Sequence, residues 1–286
     1  MLSEFQNWFV DPEDHSSLVF EGESSEGRWW HGVLRSERGE MWHVDKGIPN
    51  FIREPIDGVN WKASYSYEAC ARNWDSANGV FELSSPLREV AEECVRRGRP
   101  VLDIASGPGG GWMPSILHLD ATLPVMASDA GMVILDEWWQ FIEDGGIAAP
   151  VCFAGFDARK MPIATNSVAT LTSFHGVGNI HGRLAAIREA ERVLEDDGVL
   201  YAVEGEFDKP PLVTLCERKG WDYAQRFGED GMMSWRERFA DCGFRVVTQT
   251  ELSRKRSKSE DGYFPQVAGE VGVELWWATS LYRLTT

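Results

Sequence analysis

Residues Val101 to Gly111, VLDIASGPGGG, pass from a strand directly into a glycine-rich turn, and this junction limits the fold more than any other stretch. Val101, Leu102 and Ile104 form the short apolar run of a strand covered on both faces. Gly107, Gly109, Gly110 and Gly111 let the backbone bend sharply and approach a ligand with no side chain in the way. Many folds use such a turn, so spacing has to discriminate. A dinucleotide fingerprint begun at Gly107 requires Gly or Ala where Trp112 stands, and one begun at Gly109 meets Pro114. No lysine follows the glycines, so a phosphate-binding loop of the G-x-x-x-x-G-K-[ST] type is excluded as well.

The flanking segments alternate in period. Ser85 and Pro86 are suited to start a helix in which Leu87, Val90, Ala91, Cys94 and Val95 recur at helical spacing until Gly98. Pro124 to Ser128, Val151 to Phe153, Val168 to Phe174 and Val199 to Val203 read as short buried strands. A helix carrying Leu184, Ile187, Ala190, Val193 and Leu194 separates the last two. Strands alternating with helices imply parallel pairing. Phe244 to Val247 and Glu274 to Leu284 then read as two edge strands joined by a loop that holds Arg254, Lys255, Arg256 and Lys258. In sheets of this kind ligands sit at the carboxyl ends of the strands, where Asp103, Asp129, Asp157 and His175 all fall.

Four ordered segments carry a family resemblance. VLDIASGPG resembles the first motif of class I S-adenosylmethionine-dependent methyltransferases, V-L-D-[IVL]-G-[CS]-G-T-G, with Ala105 in place of a glycine and Pro108 in place of threonine. The next strand ends in Asp129, GFDARKMPIATNS resembles the third motif, and AIREAERVLEDDGVLYAVE resembles the family's helix, turn and fifth strand. The resemblance implies a Rossmann-like, doubly wound α/β fold: a seven-stranded sheet with an antiparallel edge strand, over residues 59–286. It implies S-adenosylmethionine as cofactor, held by Asp103, Ala105, Ser106, Gly107, Gly109, Asp129, Ala130, Asp157, Ala158 and Ser173. Residues 59–84 resemble the lid of ubiquinone and menaquinone biosynthesis methyltransferases, which would bring Tyr67 and Trp74 over the cofactor unless they pack a helix onto the sheet. A second insertion, 207–236, is rich in Trp221, Tyr223, Phe227, Met232, Met233 and Trp235 and is apolar enough to wall a substrate pocket.

Residues 1–58 read as a separate small β module of two or three strands. WHVDKGIPNFI resembles the closing hairpin of zinc-ribbon modules, yet no cysteine precedes Cys70, and His31 and His43 are too few to hold zinc, so no metal is expected. The five cysteines are widely spaced with no C-x-x-C pair, which argues against both a disulfide framework and a zinc site. The acidic N-terminus is unlike a signal peptide and no long apolar run occurs, so a cytoplasmic protein without membrane segments is expected.

Net charge bears on the acceptor. At -17 the surface repels a polyanion, so nucleic acid is disfavoured and a small, partly apolar acceptor is the first reading. An RNA-modifying methyltransferase and a cofactor-binding protein without turnover are the alternatives, and oligomeric state is not readable. Methyl transfer draws most of its rate from alignment of the reactants. If the acceptor must lose a proton, His175 and His181 are the first candidate bases, followed by Glu204 and Glu206. Ala169 replaces the aspartate of the family's fourth motif and no N-P-P-Y or D-P-P-Y follows, which disfavours methylation of base nitrogens or glutamine amides.

Overall fold

A computed structural model describes residues 1–25, 28–54, 56, 66–83, 85–147, 149–223 and 229–286. A one-turn helix α1 (Ser3–Gln6) precedes four strands, β1 (Leu18–Ser25), β2 (Arg28–Ser36), β3 (Met41–Asp45) and β4 (Ile48–Asn50). Helices α2 (Tyr67–Leu83) and α3 (Ser85–Arg97) lead into β5 (Val101–Asp103), α4 (Met113–Leu119), β6 (Val125–Asp129), α5 (Met132–Asp144), β7 (Val151–Gly155) and β8 (Val168–Phe174). Then follow α6 (Arg183–Val193), β9 (Leu194–Phe207), α7 (Lys209–Lys219), α8 (Trp235–Asp241), β10 (Arg245–Arg256), α9 (Tyr263–Glu270) and β11 (Trp276–Thr285).

Among the described residues these strands form one sheet in the order β1-β2-β3-β4-β7-β6-β5-β8-β9-β11-β10. Strands β7 to β9 pair in parallel, and β11 runs antiparallel between β9 and β10. This is the expected seven-stranded α/β arrangement, and four further strands extend it. The extension joins through a single parallel pair, Asn50 with Gly155, and the Phe51 amide donates to the Gly155 carbonyl at 2.7 Å. Residues 254–256, expected in a loop, lie in β10.

Alternation along the central strands sends side chains into two cores. Val101, Val125, Phe153, Val199 and Tyr201 pack with α3, α4 and α5. Leu102, Met126, Cys152, Ala154, Leu200 and Ala202 pack on the other face with α6 and α8. Phe5, Trp8, Phe9, Trp29, Trp42 and Phe51 of the N-terminal region belong to this second core. The Leu2 amide reaches the Cys152 sulfur at 3.0 Å, and Phe9 bridges Ile163. All five cysteines are buried and unbridged, with burial pushing the Cys70 and Cys94 thiols up to about 12.

Candidate functional site

The turn after β5 is held from beneath by Asp103. Its fully buried carboxylate accepts the Ser106 hydroxyl at 2.5 Å, the Thr172 hydroxyl at 2.6 Å and the Trp112 amide at 2.9 Å. Burial raises its pKa to about 6 against the pull of those donors. Gly111 has φ +54, and a Cβ there would lie 1.9 Å from Asp103 Oδ1, so glycine is required for the loop to close over the carboxylate. Asp103 therefore positions the loop. At Ala105 the family pattern has glycine, and here φ is 52, a left-handed conformation costing a side-chain-bearing residue roughly 1–2 kcal/mol.

Above the loop lies a cavity of about 280 Å³ walled by Ala105, Ser106, Gly107, Gly109, Asn73 and His175 among others. A Cβ at Gly107 or Gly109 would meet nothing within 4 Å, so both glycines present bare backbone to open space. Helix α2 does cover this loop, through Asn73, whose side-chain amide donates to the Pro108 carbonyl at 2.7 Å, and Ser76. Tyr67 and Trp74 do not line the cavity. Their rings pack on Phe141 of α5, 5.6 and 5.8 Å between centroids, the helix-packing alternative of the two expected for them.

The remaining expected cofactor contacts fall at the ends of β6, β7 and β8. Asp129 accepts the Gly107 amide at 2.9 Å and the Gly131 amide at 2.7 Å, tying the strand end to the glycine loop, and burial raises its pKa. Ala130 follows it. Asp157 is engaged by Arg159, with Nη2 to Oδ2 at 2.6 Å, and Ala158 is buried beside it. The Ser173 hydroxyl donates to the Ile104 carbonyl and accepts the Val177 amide, both at 3.3 Å. None of these five lines the loop cavity.

A second chamber of about 430 Å³ adjoins the first, and His175 and Asn179 line both. His175 has φ 55, and burial lowers its pKa, which favours neutral imidazole. His181 is exposed and lines neither cavity, although its carbonyl accepts from Arg159 at 3.3 Å. Of the two histidines, then, His175 alone faces these cavities. Glu204 is 2% exposed at the chamber wall, accepts the Gly178 amide at 3.1 Å, and is pushed by burial up to about 8. A Cβ at Gly178 would stand 2.4 Å from Glu204 Oε2, so glycine makes this contact possible. Glu206, two residues along the same strand, shares its face and is also raised by burial.

The second insertion supplies Tyr223, Met233 and Trp235 to the chamber wall, and Phe227 and the Met232 side chain lie outside the described residues. The Trp235 indole donates to the Gly205 carbonyl at 3.1 Å. Sequence reasoning missed Asn73, Arg183 and Arg238. The two arginines share Asp230, Arg238 Nε at 3.0 Å and Arg183 Nε at 3.5 Å. The only sequence signal for Asn73 is the polar pair Asn73 and Ser76 at helical spacing on one face of the lid. In the N-terminal region His31 pairs with Asp45 at 2.7 Å and His43 is exposed.

The chain is 33% identical over 160 residues to the ubiquinone/menaquinone biosynthesis C-methyltransferase UbiE of Azotobacter vinelandii, covering 54% of this chain and 62% of that protein. It is 31% identical over 165 residues to UbiE of Cellvibrio japonicus, covering 56% of this chain and 65% of that one. To UbiE of Idiomarina loihiensis it is 28% identical over 153 residues, 52% of this chain and 60% of the relative. The matched stretch thus spans less than two thirds of each relative. A SAM dependent methyltransferase of Aquifex aeolicus superposes with a TM-score of 0.44 at 16% identity, covering 73% of this chain and 98% of that one. The profile of the ubiE/COQ5 methyltransferase family matches residues 62–219, more than half of the sequence, and the chain belongs to that family.

Proposed function

We propose that the protein transfers a methyl group from S-adenosylmethionine to a small-molecule acceptor. The observation that carries this reading is the meeting of two cavities at His175 and Asn179, one over the glycine loop and one walled by the second insertion. The loop suits the cofactor, because Gly107 and Gly109 point no atom into the space above them and Asn73 overhangs it. S-adenosylmethionine bound there would supply an electrophilic methyl. The chain's own part is to hold the acceptor in line, which alone accounts for up to roughly 7–11 kcal/mol of the barrier. Glu204 is placed to hold a proton from the acceptor, since a carboxyl poised near 8 exchanges protons at neutral pH. The relatives are named as C-methyltransferases of ubiquinone and menaquinone biosynthesis, which supports a small-molecule acceptor.

A nucleic-acid acceptor is disfavoured by the charge of -17 and by the pairing of the basic cluster, where Arg254 meets Asp208 at 2.6 Å and Arg256 meets Glu274 at 2.6 Å. Isothermal calorimetry with S-adenosylhomocysteine tests the proposal. Binding is expected, and Asp129→Ala should weaken it about tenfold or more by releasing the glycine loop and a charge-assisted acceptor. No heat of binding in the unsubstituted protein would overturn it.

A further inference from the structure

We propose that the acceptor chamber takes a carboxylic acid with an apolar body, its carboxylate held by the guanidinium of Arg183 and its body against Phe207, Trp235 and Trp277. This rests on the methyltransferase reading above and narrows its substrate class. Unspent hydrogen-bond donors single out Arg183. Arg183 and Arg238 both approach Asp230 from the chamber wall, and the more buried of them takes it. Arg238, with a side chain 7% exposed, donates from Nε to Asp230 Oδ2 at 3.0 Å and from Nη2 to the Asp230 carbonyl at 2.9 Å. Arg183, 30% exposed, stops 3.5 Å from the same carboxylate oxygen, beyond the range of about 2.7–3.2 Å in which such bonds form. Among the described residues it makes no hydrogen bond and has no other carboxylate within 4.0 Å. Its planar fork of N–H groups is therefore open, and such a fork matches a carboxylate through two parallel bonds.

The carboxyls of β9 do not fill this place. Neither Glu204 nor Glu206 lies within 4.0 Å of Arg183, and Glu204, held up to about 8 by burial, is largely uncharged at neutral pH and repels no anion there. Arg183 lines the acceptor chamber and not the loop cavity, while His175 and Asn179 line both. A carboxylate on Arg183 thus stands off from the junction, and the rest of the molecule is the part that faces the cofactor side. For that part the chamber offers a fixed aromatic surface. Phe207 and Trp277 meet edge to face at 4.8 Å between centroids, and the Trp277 ring lies so close over Gly205 that a Cβ there would stand 2.1 Å from it. The Trp235 indole is pinned to the Gly205 carbonyl, and the Arg183 guanidinium stands 5.8 Å from the Trp235 ring centroid, so anchor and surface adjoin. The family match ends at residue 219, before Trp235 and Trp277, so most of this surface lies outside what the chain shares with that family. The field of a chain carrying -17 opposes an approaching anion, but salt screens it over about 8 Å and it acts on the rate of entry more than on a pair once formed.

Fluorescence titration of the intact chain with three probes of like shape, 3-phenylpropionate, its neutral amide 3-phenylpropanamide and the cation 3-phenylpropylamine, tests the proposal. The acid is expected to bind roughly tenfold or more tightly than the amide, as befits charge-assisted pairing, with the amine weakest. Arg183→Gln should remove that preference and leave the affinities for the amide and for S-adenosylhomocysteine unchanged, a split that a general loosening of the wall would not give. Arg183→Lys, which keeps the charge without the fork, should retain part of the preference. Equal affinities of acid and amide in the unsubstituted protein, tighter binding of the amine, or an acid preference that survives Arg183→Gln would overturn it. The two proposals fail separately. S-adenosylhomocysteine binding without acid preference removes only the acid, and acid preference without S-adenosylhomocysteine binding removes the methyltransferase reading.

Discussion

Asp103 on β5 and Glu204 on β9 are buried carboxyls of one sheet, and burial acts on them in the same direction with different consequences. Asp103 is surrounded by two hydroxyls and an amide, whereas Glu204 has amide donors only, which is why its proton is held to about 8 and that of Asp103 only to about 6. Both native values lie above those of an unfolded chain. The native state therefore binds more protons, and the stability tied to each group is complete in acid and is lost as pH rises through the native value. Between the ordinary glutamate range and about 8, Glu204 should make the protein progressively less stable. Glu204→Gln removes that dependence: urea titrations should show the variant gaining on the unsubstituted protein as pH rises, with the largest difference above 8. A constant difference across that range would mean that Glu204 is ionised throughout. Asp129 was legible in sequence because a strand end dictates its place. Arg183 and Arg238 were not, because their meeting at Asp230 depends on segments far apart in the chain.

Among the elements, those with a strong apolar signal were the ones the sequence exposed. β8 matches the run Val168 to Phe174 residue for residue, and α6 holds the expected stripe of Ile187, Ala190 and Val193. β1 went unread because most of its residues face solvent, which leaves no alternation to detect. β10 outruns its apolar start for the same reason, continuing through Arg254 to Arg256 with most of both faces in water. Tyr67 and Trp74 were placed on the right helix, but pattern alone cannot choose between two apolar destinations, and the α5 surface took them. The N-terminal strands make a testable case of their own. Trp8, Phe9, Trp29 and Trp42 are nearly buried against the same core as Cys152 and Ile163. Deleting residues 1–50 should uncover that face, lower the melting temperature and produce dye binding to exposed apolar surface. An unchanged melting temperature with no dye binding would show that the remaining sheet is complete without them.

The whole molecule carries 45 acidic residues against 28 lysines and arginines, so self-repulsion acts on the native state. Most of its ion pairs are exposed, and such pairs contribute about 0–1 kcal/mol each, so their screening sacrifices little. Added sodium chloride should therefore raise the melting temperature, and a fall would show that the surface pairs outweigh the repulsion. The seam between β4 and β7 also orders events in time. Leu2 finds its partner Cys152 across 150 residues, and Phe9 pairs with Ile163. Closing loops of that length is slow before the central strands exist. Trp8, Trp29 and Trp42 leave the ribosome before β7, beside which they dock, so this face of the sheet should close only after the central strands are in place.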